Sequence, residues 1–210
     1  TRWNDDGTYT AYVYTDGLVR FAAKAWDPYD MDPRVHLTNN AAATDRTHER
    51  ASTPTGDSSA WDPDAHFKRN WSFKSLEAEL EKTRGHGSYD SVWAGVRRAA
   101  SVALSSLPKR ERDLSSECPS VGDSPRRHFE LLGMDLLVDD ALAVWLLEVN
   151  SGPSLGAGTK LGGRVSGTHH EVKGSLVADV FNLLGICEDD PGADERDELR
   201  RASLTRFQPL

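Results

Sequence analysis

Apolar and polar positions alternate first over residues 8–14, TYTAYVY, whose β-branched and aromatic residues read as a strand. Asp16-Gly17 is a hairpin turn signal, so LVRFAA at 18–23 reads as the returning strand. WDPYDMDPR is a loop punctuated by two prolines, followed by the short apolar-polar segment VHLTN at 35–39. From Ser72 the period becomes helical. Phe73, Leu76 and Leu80 fall on one face, and Ser72 suits an N-cap. A second helix is expected from Asp90 to about Leu107, with Val92, Val96, Ala99, Ala103 and Leu107 inward, until Pro108 ends it. A last amphipathic helix carries Val172, Leu176, Val180 and Leu184, with Gly185 placed for its C-terminal cap.

Between these elements the pattern lapses. Residues 40–66 hold almost no large apolar side chains and cannot bury enough surface to offset ordering entropy, so they read as a mobile loop. Residues 109–127, charged and rich in Pro and Ser, read as a second one. The acidic segment from 187 to 210 reads as a polar C-terminal tail. Strands, helices, strands and a helix in that order favour an α+β fold over a regular α/β alternation. The opening TRWNDDG resembles the middle of a fold, so residues 1–186 are expected to be part of a larger domain.

Composition removes some functions. The formal charge of −8 lacks the basic footprint of a nucleic-acid binder, and no apolar run approaches the roughly 18 residues that span a bilayer. Two isolated cysteines, Cys118 and Cys187, are too few for a disulfide framework or a zinc site and read as reduced thiols. The Asn70-Trp71-Ser72 sequon is taken as coincidence. GAGTKLGG lacks Walker A spacing, and the consecutive HHE at 169–171 has poor geometry for a single ion.

The chemistry concentrates at 129–155. Residues 129–138 and 142–150 are two apolar runs joined by Asp139-Asp140, and both read as strands covered on both faces. They carry three hard oxygen donors, Asp135, Glu148 and Asn150. Alternation puts Glu148 and Asn150 on one face. A two- or four-residue turn would add Asp135 to that face, whereas a three-residue turn would send it to the other. Buried unpaired carboxylates cost several kcal/mol each, so such a pair needs cations or takes up protons. Two carboxylates with an amide oxygen suit Mg²⁺. Periodicity supports equally an acidic pair held by arginines or facing water.

Taken as a whole, FELLGMDLLVDD followed by VWLLEVNSGPSL resembles the closing signature of the tubulin tyrosine ligase-like family, which has an ATP-grasp fold. DGLVRFA, VHLTN, RNWSFKSLEAEL and EVKGSLVADVFNLLGI resemble further family segments in the same order. The resemblance implies the C-terminal portion of an ATP-grasp-like domain, an antiparallel sheet with packed helices. It further implies Mg²⁺ held by Asp135, Glu148 and Asn150 against the phosphates of ATP, and Arg20 beside the transferred phosphate. His36, Leu37, Thr38 and Asn39 would contact the nucleotide, and Leu147 would lie near its base. Implied partners are tubulin or microtubules and a free amino acid, in the cytoplasm, at the cytoskeleton or in a cilium. The implied reaction is ligation of that amino acid to a protein carboxylate through an acyl phosphate. An alternative is a non-catalytic microtubule-binding relative. After HLTN the chain continues Asn40-Ala41-Ala42-Ala43 where the family has Tyr-Ser.

Overall fold

The computed structural model describes residues 2–3, 9–22, 24–38, 70–106, 128–156, 167–185 and 195–210. Both expected loops, 40–66 and 109–127, lie outside the described residues. The described elements are β1 (Arg2–Trp3), β2 (Tyr9–Thr10), β3 (Tyr12–Tyr14), β4 (Leu18–Arg20), α1 (Pro33–His36), β5 (Asn70–Ser72), α2 (Phe73–Arg84), α3 (Ser88–Ser105), β6 (His128–Phe129), β7 (Leu132–Val138), β8 (Val144–Ser151), α4 (Gly167–Leu184), α5 (Glu195–Ser203) and β9 (Phe207–Pro209). Their sheets are small and antiparallel: β2-β1-β6, β3-β9, β4-β5 and β7-β8. The chain divides into two compact units, one of residues 1–15, 77–156 and 173–210, the other of residues 16–76 and 157–172.

In the first unit, Val13, Val92 and Val96 form a buried cluster, joined by Leu80, Trp93, Leu136, Leu142, Val144 and Leu210. Helix α3 can approach β8 because residue 95 is glycine. A Cβ there would stand 2.6 Å from Val144 Cγ2, too close for any side chain. The start of α3 is capped from outside. Gly87, at its N-cap, has φ 83 and no side chain to offer. The Glu81 carboxylate of α2 instead accepts from Gly87 N at 3.1 Å, Tyr89 N at 3.2 Å and Ser88 Oγ at 3.4 Å.

Those amides, Tyr89's foremost, hold Glu81 below the usual carboxylate range. A depressed carboxyl stabilises the fold above its ordinary range, and that contribution disappears as pH falls through the depressed value. Glu81→Gln is therefore expected to lower the thermal midpoint near neutral pH by a few degrees, with the gap closing in acid. Parallel melts at the two pH values check this; a gap that widens in acid refutes it.

Two expectations are corrected here. LVR does not return along β3 as a hairpin. Instead β4 pairs with β5, Leu18 opposite Ser72 and Arg20 opposite Asn70, while β3 pairs with β9. The Asp16-Gly17 signal serves another purpose, since Asp16 Oδ1 accepts from Gly17 N at 2.8 Å and from Phe73 N at 3.2 Å, capping α2. A Cβ on Gly17 would meet the Phe73 ring at 2.7 Å.

The polar tail is the second correction. Residues 195–209 contain α5 and β9, and Ala202, Phe207 and Leu183 form a second buried cluster with Tyr12, Tyr14, Leu176 and Val180 beside it. Arg201, 3% exposed, donates from Nε to the Leu183 carbonyl at 3.1 Å, meeting the negative end of α4 where Gly185 (φ 65) closes the helix. High charge hid a segment in which Ala202 and Phe207 are buried although Leu199 and Leu204 stay exposed.

Candidate functional site

Strands β7 and β8 pair so that Asp135 lies opposite Glu148 and Gly133 opposite Asn150. All three oxygen donors therefore share one face, with cross-strand Cβ atoms about 5 Å apart. The route to that register is indirect. Asp139 N donates to Ala143 O and Leu142 N to Asp139 O, both at 3.0 Å, with Leu142 at φ 63. This is a three-residue hairpin loop over 140–142 with its last residue left-handed. Continued regularly, it would set Asp135 opposite Leu147 and turn Glu148 to the other face. A register shift between Asp135 and Leu136 prevents this: Leu136 faces Leu146, Asp135 faces Glu148, and Leu147 is the extra residue.

The turn is held by Asp139. Its carboxylate accepts from Ala143 N and Trp145 Nε1 at 2.8 Å and from Ala141 N at 3.0 Å. These donors, the indole first, keep its pKa below the ordinary value. A leucine at positive φ is costly, of order 1 kcal/mol or more. The Leu142 side chain offsets this by packing on the Val13, Val92 and Val96 cluster, a contact glycine could not make.

The expectation of strands covered on both faces is overturned. Every β8 residue from Trp145 to Ser151 is exposed, as are Asp135, Leu137 and Val138 of β7, while α3 packs at the Val144 end. The cost of burying carboxylates therefore supplies no argument for a cation, and the donor geometry must carry it. Asn150 Nδ2 donates to Glu148 Oε1 at 3.1 Å, which orients the amide oxygen away from its neighbour and leaves the second Glu148 oxygen available. No basic side chain of the described residues pairs with Asp135 or Glu148. Two carboxylates and an amide oxygen with no counter-charge among the described residues fit a hard divalent cation that completes its shell with water and phosphate. No group of three or more His, Cys, Asp or Glu side chains suited to a metal occurs among the described residues.

Of the other sequence-chosen residues, Arg20, His36, Leu37 and Thr38 belong to the second unit and Leu147 to the first. Arg20 is exposed at the end of β4. His36 ends α1, its Nε2 against the Asp30 carbonyl, which suits a structural histidine rather than an acid-base group. Leu37 caps that helix through its N–H to Pro33 O at 2.8 Å, and Leu37 and Thr38 are exposed. Asn39 lies outside the described residues. Asp32 starts α1, accepting from Arg34 N, and its pairing with Arg34 and then Lys24 drives its pKa far down. Leu147, 63% exposed, is the bulge residue itself. Of the HHE residues, His169 is buried while His170 and Glu171 are exposed, so the three diverge.

Sequence reasoning missed the bulge, the Asp139–Trp145 clip and the segment after β8. There Pro153 lies over Gly133, where a Cβ would come within 2.9 Å of Pro153 Cβ. The acceptor side chain of Asp139 at a turn was a legible signal. A bulge, with no residue signature of its own in WLLEVN, was not.

A family model described as the tubulin-tyrosine ligase family matches residues 5–191. Tubulin polyglutamylase TTLL5 of Mus musculus is 28% identical over 184 residues, which are 85% of this chain and 12% of that protein. Tubulin monoglutamylase TTLL4 of Homo sapiens is 28% identical over 178 residues, 83% of this chain and 13% of that protein. Probable tubulin polyglutamylase TTLL2 of Mus musculus is 31% identical over 179 residues, 83% of this chain and 27% of that protein. The chain thus spans an eighth to a quarter of the length of these relatives.

Proposed function

The chain belongs to the tubulin-tyrosine ligase family, and from that premise we propose that it supplies the metal-binding half of an ATP-dependent amino-acid ligase acting on tubulin. The observation that carries the reading is the β7–β8 register, which collects Asp135, Glu148 and Asn150 on one face with the Asn150 amide already bonded to Glu148. The relatives' names, polyglutamylase and monoglutamylase, favour glutamate as the amino acid and a tubulin carboxylate as acceptor. Action on tubulin would place it in the cytoplasm, at the cytoskeleton or in a cilium.

Asp135, Glu148 and Asn150 would hold Mg²⁺, which when bound supplies positive charge to the β- and γ-phosphates of ATP. Arg20 presents a planar fork of donors for the transferred phosphoryl group. His36, Leu37, Thr38 and Asn39 would line the nucleotide, and Leu147, pushed out by the bulge, would meet its base. The acceptor carboxylate oxygen takes the γ-phosphoryl group and ADP leaves. The amino-acid amine then attacks the acyl phosphate, inorganic phosphate departs, and the amine's proton passes to solvent. No protein nucleophile is required, so positioning and charge supply the rate.

The test is incorporation of labelled glutamate into tubulin, with and without ATP and Mg²⁺, by the protein that carries this chain. Incorporation dependent on both is expected. Microtubule binding without Mg²⁺–ATP affinity would replace the ligase reading with a non-catalytic one.

A further inference from the structure

Directly after the ligand strand, the chain turns back on itself. Gly152 takes φ 68, and Pro153 settles over Gly133, the residue across the ladder from Asn150. A Cβ on Gly133 would stand 3.9 Å from Asn150 Cβ, so the proline and the base of the Asn150 side chain both border Gly133. The segment ends at Gly156, whose carbonyl oxygen accepts from Lys173 Nζ of α4 at 2.8 Å. The loop is thus held at two points, by the proline near its start and by a helix-borne ammonium at its end.

We propose that Lys173 is a positioning residue for the metal site, holding residues 151–156 folded across Gly133 so that the Asn150 amide stays aligned with Glu148 and Asp135. The proposal rests on the reading of those three as metal ligands. A charge-assisted bond to a loop carbonyl is stronger than a neutral one, and α4, an 18-residue helix, gives it a rigid base. Losing the anchor returns conformational freedom to a loop joined directly to the ligand strand, at the end where Asn150 sits. Methionine matches lysine in length without a donor, while arginine keeps one.

Lys173→Met is expected to weaken Mn²⁺ binding by about tenfold, the scale seen when groups supporting metal ligands are removed. Amide hydrogen exchange in 151–156 should speed up, while the thermal midpoint holds because the side chain is not part of either buried cluster. Lys173→Arg should recover most of both. A role limited to global stability would lower the midpoint and leave Mn²⁺ binding intact below it, which refutes the proposal. Glu148→Gln separates the two readings. Should it abolish Mn²⁺ binding while Lys173→Met changes neither binding nor exchange, the latch is wrong and the ligands stand. Should it leave Mn²⁺ binding unchanged, the ligand assignment falls, and the coupling to Lys173 falls with it even if exchange rises.

Discussion

On the proposed ligase reading, Glu148→Gln is expected to reduce ATP-dependent amino-acid incorporation by the protein that carries this chain roughly a hundredfold or more, about 2.7 kcal/mol of barrier, while leaving the fold unchanged. The substitution keeps the side chain's shape and one carbonyl oxygen, so the bond from Asn150 Nδ2 at 3.1 Å can persist. It removes one of the two negative charges that face each other across β7 and β8. Glu148 is exposed and makes no ion pair among the described residues, so its neutralisation carries no folding penalty through a lost partner. Loss of incorporation with an unchanged thermal midpoint therefore reports on the cation and not on unfolding. Labelled-glutamate incorporation and Mn²⁺ titration measure the two halves of the claim. Wild-type incorporation by this variant would sink the site assignment outright.

Phe207→Ala should destabilise the chain by about 3 kcal/mol, at the lower end for deleting a buried phenylalanine. Phe207 is 8% exposed and clusters with Leu183 and Ala202, its ring 5.0 Å from that of Tyr14 at 57°. Tyr14 in turn donates to Asp179 of α4 at 3.2 Å, and burial followed by the Asp179 charge pushes its pKa up to about 12. Removing the ring opens a cavity where β3, α4 and α5 meet. In a solvated tail the same substitution would cost no more than about 0.5 kcal/mol. Denaturant melts with an unchanged slope distinguish these values, and a result near zero would return residues 195–210 to the status of a tail.

Several elements were legible because they depend on local period. The face of Phe73, Leu76 and Leu80 lies on α2, with Ser72 Oγ accepting from Ser75 N at 3.3 Å. The α3 pattern was found with its start two residues late, since the cap comes from Glu81 on another helix and leaves no mark at residue 88. The closing helix ends as Gly185 suggested. Strand partners were not legible in the same way. Asp16-Gly17 satisfies the requirements of a tight turn and of a helix cap alike, and the cap is used because Phe73 N is there to be satisfied. The docking of α5 and β9 was invisible because their apolar residues are sparse, and only the complementary face of Tyr12, Tyr14, Leu176 and Val180 shows that they suffice.

Strands β7 and β8 show the division most clearly. The sequence alone determined which side chains could ligate, that Glu148 and Asn150 share a face, and that the outcome for Asp135 hinged on whether the turn was odd or even. Tertiary structure decided the rest. The odd turn is selected because Leu142 fills the Val13, Val92 and Val96 cluster and Val144 fits the space left by Gly95, both on elements distant in the chain. Leu147 then steps out of the ladder and restores Asp135 to the face of Glu148. Alternation is a property of a single strand and can be read from its residues. Register belongs to a pair of strands and to whatever packs against them.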